Sequence, residues 1–106
     1  MFARQVTLKL KTNFAREFPV AFEKEILPLI RKQKGFLDEM LLVTPEKWEV
    51  VAISLWEEKE HAEIYNREVY PQITKILEKY VEGTPVVKPF EVQYSTFHKI
   101  AIPATV

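Results

Sequence analysis

The chain has 106 residues, a length that suits one domain, and 47% of them are apolar, enough for a packed core and too many for a disordered chain. Fifteen basic residues balance fifteen acidic ones, so composition gives no electrostatic case for nucleic acid or an anionic membrane as a partner. The absence of cysteine excludes disulfides, thiolate nucleophiles and thiolate metal sites, and fits a reducing, cytoplasmic setting.

The N-terminus alternates from Arg4 to Lys11, with Val6, Leu8 and Leu10 on one side and Gln5, Thr7 and Lys9 on the other. That is the period of a strand rather than the unbroken apolar run of a signal peptide, and no later stretch is long enough to span a bilayer. A helix is predicted from about Glu17 to Lys34, with Pro19 in its first turn and Phe18, Phe22, Ile26, Leu29 and Ile30 as its apolar stripe. Pro28 lies inside this pattern and should kink the helix, leaving the Lys24 carbonyl without its usual partner. Gly35 reads as the C-cap.

Phe36 to Val43 and Trp48 to Trp56 read as strands joined by a hairpin loop at Thr44-Pro45-Glu46-Lys47. The second of these is apolar on both faces, with Val51, Ile53 and Leu55 on one and Val50, Ala52 and Trp56 on the other. Both sides of the sheet are therefore expected to be covered. A short charged helix follows over Glu58 to Asn66, then a break near Arg67 and a helical segment from Val69 to Val81, with Pro71 in its first turn. Gly83 is expected to end that segment and Thr84-Pro85 to turn the chain. Val86 to Phe97 is the last predicted strand, with Pro89 marking an edge or bulge. From Lys99 to Val106 no pattern is visible, and this is read as a tail.

The order strand, helix, strand, strand, helix, strand is the α+β, ferredoxin-like plan with a four-stranded antiparallel sheet. Helices cover one sheet face. The apolar residues on the other argue for a second sheet, most simply that of a second copy of the chain.

Three segments carry a family resemblance: Leu29-Ile30-Arg31-Lys32-Gln33-Lys34-Gly35-Phe36, Leu55-Trp56-Glu57-Glu58-Lys59-Glu60 and Pro85-Val86-Val87. In this order and with these element lengths they resemble the antibiotic biosynthesis monooxygenase-like domains, which are dimeric α+β barrels. The resemblance covers the chain as a single domain, 1–106, apart from the tail after about His98. It implies a homodimer with one pocket per subunit between helices and sheet. Members of the family differ in activity. Some oxygenate activated polycyclic phenols or quinols with molecular oxygen and no cofactor, some degrade haem, and others have no established activity.

Trp56 closes the third strand where the chain bends into the helix that carries His61 and Tyr65. It is expected to border a cavity with one face of its indole, although a core aromatic anchoring the turn has the same signature. His61 and Tyr65, four residues apart, share a helix face. The imidazole is a candidate base for an acidic phenol or C–H, and Tyr65 a candidate donor to the resulting oxyanion, against the plainer reading of a solvated histidine beside a half-buried tyrosine. Tyr70 and Tyr94 are candidate substrate-binding residues, Tyr94 closing the cavity from below. His98 is expected at an exposed strand end. The two histidines are far apart with no carboxylate pair at ligand spacing, so no metal site is expected. Ser54 and Ser95 lack a nucleophile motif, and two glycines cannot build a nucleotide loop, so no cofactor is expected.

Three functions compete. One is a cofactor-independent oxygenase of an electron-rich aromatic. The second is haem degradation, for which the family's first-strand asparagine is replaced by Gln5 or Thr7, its tryptophan by Tyr65 and its histidine by Ile73-Thr74. The third is a non-catalytic dimer that binds a small apolar ligand.

Overall fold

The computed structural model describes residues 1–46 and 48–97. The expected tail from Lys99, and His98 before it, lie outside the described residues. Four strands, β1 (Phe2–Leu10), β2 (Phe36–Val43), β3 (Glu49–Trp56) and β4 (Val81–Glu91), form one antiparallel sheet in the order β2-β3-β1-β4. The helical segments are α1 (Glu17–Ala21), a π-helical turn (Phe22–Ile26), α2 (Leu27–Arg31), α3 (Lys59–Glu68) and α4 (Tyr70–Leu77). This is the ferredoxin-like α+β arrangement, with β3 and β1 central and β2 and β4 at the edges. Among the described residues no helix is long and apolar enough to cross a membrane.

The core lies between the sheet and the helices. The expected stripes supply it: Phe18, Phe22, Ile26 and Ile30 from the first helical stretch, Ile73, Leu77 and Tyr80 from the second, all buried. They meet Val6, Leu8, Leu10 and Val50 from the inward sides of β1 and β3. At about 25 cal/mol per Å² of apolar surface removed from water, this layer is the main stabilising contribution of the fold.

Three local expectations change. The chain before Pro28 does not continue as an α-helix: the Leu27 N–H donates to the Phe22 carbonyl five residues back, so the turn widens ahead of the proline. Pro28 has no N–H to offer and its ring crowds the carbonyl four residues earlier; a wider turn accommodates both. The helix then stops at Arg31, sooner than Lys34, with the Gln33 side chain donating to the Leu29 carbonyl. Gly35 lies beyond that cap, at φ +80°. The third change is in β4. It starts at Val81, and Gly83, at φ +71°, sits inside it. Residues 83–85 bulge where the pairing with β1 shifts between Thr7 and Lys9. A glycine with positive φ marks such a bulge as readily as it marks a helix end. The break between the last two helices falls at Val69, because Pro71 cannot donate to the next turn.

Candidate functional site

Register places the site. On the helix-facing side of the sheet Arg4 pairs with Ser54 across β1 and β3, and Ser54 with Glu39 across β3 and β2. A row of three polar side chains thus crosses an otherwise apolar surface. Above it, Tyr65 from α3 and Tyr70 from α4 complete one end of a cavity whose other walls are apolar, including Phe22 and Ile26 from the widened turn. The cavity holds about 30 Å³, room for one or two water molecules.

Arg4 is the centre of this cluster. It is only 5% exposed. Its guanidinium carbon lies 4.0 Å from the Tyr70 ring centroid and 5.1 Å from that of Tyr65, and Nη2 donates to Asn66 Oδ1 at 2.7 Å. Glu39 Oε2 is buried without a hydrogen-bond partner. Burial pushes the Glu39 carboxyl up to about 8; the Arg4 charge opposes this without reversing it, and Asp38 adds to it. Burial also raises Tyr65 and Tyr70, against the pull of Arg4, so both phenols remain protonated donors at neutral pH. The Tyr70 hydroxyl is also buried, and Arg4, which lies over its ring, hydrogen-bonds it only loosely. An unpaired buried polar atom costs roughly 1–3 kcal/mol. The unpaired Glu39 oxygen beside this cavity marks where a polar group of a ligand would gain most.

SnoaB, a cofactor-independent oxygenase from Streptomyces nogalater, superposes with a TM-score of 0.74 over 90% of this chain and 95% of its own, at 14% identity. Provisionally named antibiotic biosynthesis monooxygenases from Deinococcus radiodurans and Bacillus cereus give 0.73 and 0.63, covering 98% and 90% of this chain and 100% and 95% of theirs, at 14% and 19% identity. The fold is that of the antibiotic biosynthesis monooxygenases. No family model matches the sequence, nor does any curated protein. At these identities the likeness speaks for the monooxygenase fold and leaves the chemistry to the site.

Within that fold the sequence-predicted residues separate. Tyr65 and Tyr70 line the cavity. Trp56 does not. It is fully buried, its Nε1–H donates to Ser54 Oγ at 2.9 Å, and Phe36 and Tyr65 cover its ring at 5.7 and 4.9 Å. The expectation that one indole face would border the cavity is corrected: the ring is too apolar to waste at an element end and instead backs Tyr65 from behind. His61 shares the inward face of α3 but reaches the loop before β2, where its ring lies against Gly35; its Nδ1 is buried without a hydrogen bond, and it lines no part of the cavity. Tyr94 lies past the end of β4 and is 71% exposed, so it cannot close the cavity. Among the described residues no group of three His, Cys, Asp or Glu gathers as a metal site.

Arg4, Glu39 and Asn66 were not among the predicted site residues. The sequence does carry a signal for two of them. Arg4 is in phase with Val6, Leu8 and Leu10, and Glu39 with Leu41 and Val43, so strict alternation puts a charge on the buried face of each strand.

Proposed function

We propose that the protein is a cofactor-independent monooxygenase of an aromatic phenol or quinol, working in the cavity between sheet and helices. The observation that carries this reading is the buried cluster of one cation, one high-pKa carboxyl and two protonated phenols inside an apolar wall. Such a site can take a proton from an acidic phenol, hold the anion away from water and let it react with oxygen. Glu39, in its ionised form, accepts the proton; Tyr65 and Tyr70 donate to the substrate oxygen; Arg4 stabilises the negative charge. The anion passes one electron to O2, the two radicals combine as a hydroperoxide at the ring carbon, and loss of water leaves a carbonyl. For an anthrone, the keto tautomer of such a phenol, the ring CH2 and O2 become C=O and H2O, with no outside reductant. The cavity is too small for an aromatic ring, so substrate enters when Arg4, which lines both this cavity and a neighbouring surface groove, moves aside.

The test is oxygen uptake with an anthrone or a hydroquinone. The wild-type rate should rise as the pH passes upward through about 8, where Glu39 becomes a base. Glu39→Gln should slow it by roughly 100-fold or more, the usual worth of a general base. His61→Ala should leave it largely unchanged. Uptake no faster than the uncatalysed reaction sinks the proposal.

A ligand-binding role without turnover is the second reading, favoured by the small size of the cavity and the absence of a histidine from its lining. The same small spaces disfavour haem. In either reading we propose a homodimer. On the sheet face away from the helices Met40, Leu42 and Phe90 are each 45% exposed and Val86 61%, an apolar surface of the kind a second sheet covers. Light scattering at micromolar concentration should return twice the single-chain mass; a single-chain mass would rule out the barrel.

A further inference from the structure

A surface groove of about 260 Å³ lies between α3 and the β1–β4 side of the sheet. Phe2, Ala62, Val87 and Pro89 give it apolar walls, Arg4 and Asn66 line it as well, and so do Lys59 and Glu63, whose charges pair with each other at 3.7 Å. Arg4 is buried and also lines the inner cavity, so it forms the partition between the two spaces. Its charge is poorly matched by its surroundings. Among the described residues no carboxylate lies within 4 Å of it. Its clearest side-chain hydrogen bond goes to a neutral amide, and its other close neighbours are the rings of Tyr65 and Tyr70 and the neutral Tyr70 hydroxyl. The nearby Glu39 carboxyl is held neutral at pH 7 by burial. A buried guanidinium left without a counter-charge is costly, and cation–π contacts offset only part of that cost. An anion reaching it from the groove would be strongly favoured, most of all a carboxylate, whose two oxygens match the guanidinium fork.

We infer that this groove binds a small planar aromatic carboxylate, its ring against Phe2, Val87 and Pro89 and its carboxylate on Arg4 in place of Asn66 Oδ1. The volume is below the roughly 300–1,000 Å³ of sites for drug-sized ligands, which restricts the ligand to one or two rings. The inference rests on Arg4 and the groove and is independent of any oxygen chemistry.

Calorimetric titration of the full chain with 1-naphthoate and with neutral 1-naphthamide tests it. The acid should bind at least about tenfold more tightly than the amide, the worth of a charge-assisted bidentate pair. Arg4→Met should abolish that preference. Asn66→Ala should strengthen acid binding, because the competing acceptor is gone. Equal affinities, no binding of the acid, or a preference that survives Arg4→Met would overturn the inference. Should Arg4→Met fail to fold, wild-type amide resonances decide. Shifts on adding naphthoate that centre on Ala62, Asn66 and Val87 support the groove, and shifts confined elsewhere overturn it. Acid binding without oxygen uptake would leave this site standing while the oxygenase reading falls, and uptake with neutral quinols but no acid preference would do the reverse.

Discussion

Gly35→Ala should destabilise the protein by about 2–5 kcal/mol, from two separable causes. The first is backbone strain. Gly35 has φ +80°, a conformation that costs an L-residue with a Cβ roughly 1–2 kcal/mol. The second is space. A Cβ at this position would overlap Cγ and Nδ1 of His61, which lies directly against the glycine. Moving that ring is not free, because its Nδ1 is already buried and the helix bearing it is held to this loop by the Glu57 N–H donating to the Gly35 carbonyl at 2.8 Å. Overpacking of this kind costs about 1–3 kcal/mol. His61→Ala in the Gly35→Ala background should recover the steric share and leave the strain. Urea unfolding of the two single variants and the double variant measures both. A coupling energy near zero would mean that His61 swings away freely and does not fill this corner.

That corner shows how a correct motif can carry the wrong chemistry. Gly35, Trp56 and His61 were the most legible residues of the chain, because each breaks the local pattern. The structure brings them together around the junction between β3 and α3, where they fix the turn: Trp56 fills the core, Gly35 carries the left-handed bend and His61 lies over it. The element order was legible for a different reason. Period-2 and period-3.6 patterns are strong in Val6 to Leu10 and Phe18 to Ile30, and they record which sides face the core. The bounds that moved lie at Lys34 and Gly83, where a basic residue or a glycine has more than one structural use, and at the end of β4, which stops at Glu91 short of the expected Phe97. The polar row was hidden because it depends on pairing register. Arg4, Ser54 and Glu39 are far apart in sequence and become neighbours only when β1, β3 and β2 align. The odd element is that two of these residues are charged at inward positions, a violation of burial rules of the sort functional sites tolerate.

Glu39 should make the protein lose stability as the pH rises from about 5 to 8. In the unfolded chain its carboxyl titrates near 4.5, whereas in the folded protein burial holds it up to about 8. Below 4.5 both states carry the proton and the group has no effect on the balance. Between the two values the folded state keeps a proton that the unfolded state releases, so each pH unit costs about 1.4 kcal/mol of stability. Above 8 both are ionised and the loss levels off, at no more than about 4–5 kcal/mol for the whole window. This runs opposite to the usual acidic side chain, which stabilises a fold as it ionises, and the reason is physical: ionised Glu39 has lost water and Arg4 is near enough to lessen the penalty without cancelling it. Glu39→Gln removes the titration while keeping the side-chain volume. Urea unfolding of both proteins at pH 5, 6, 7 and 8 isolates the effect from every other group, because only the difference between them matters. The stability of the wild type relative to the variant should fall steadily across the series. A difference that stays flat would mean that Glu39 reaches solvent or pairs closely with Arg4, and the cavity would then hold an ordinary ion pair in place of a poised base.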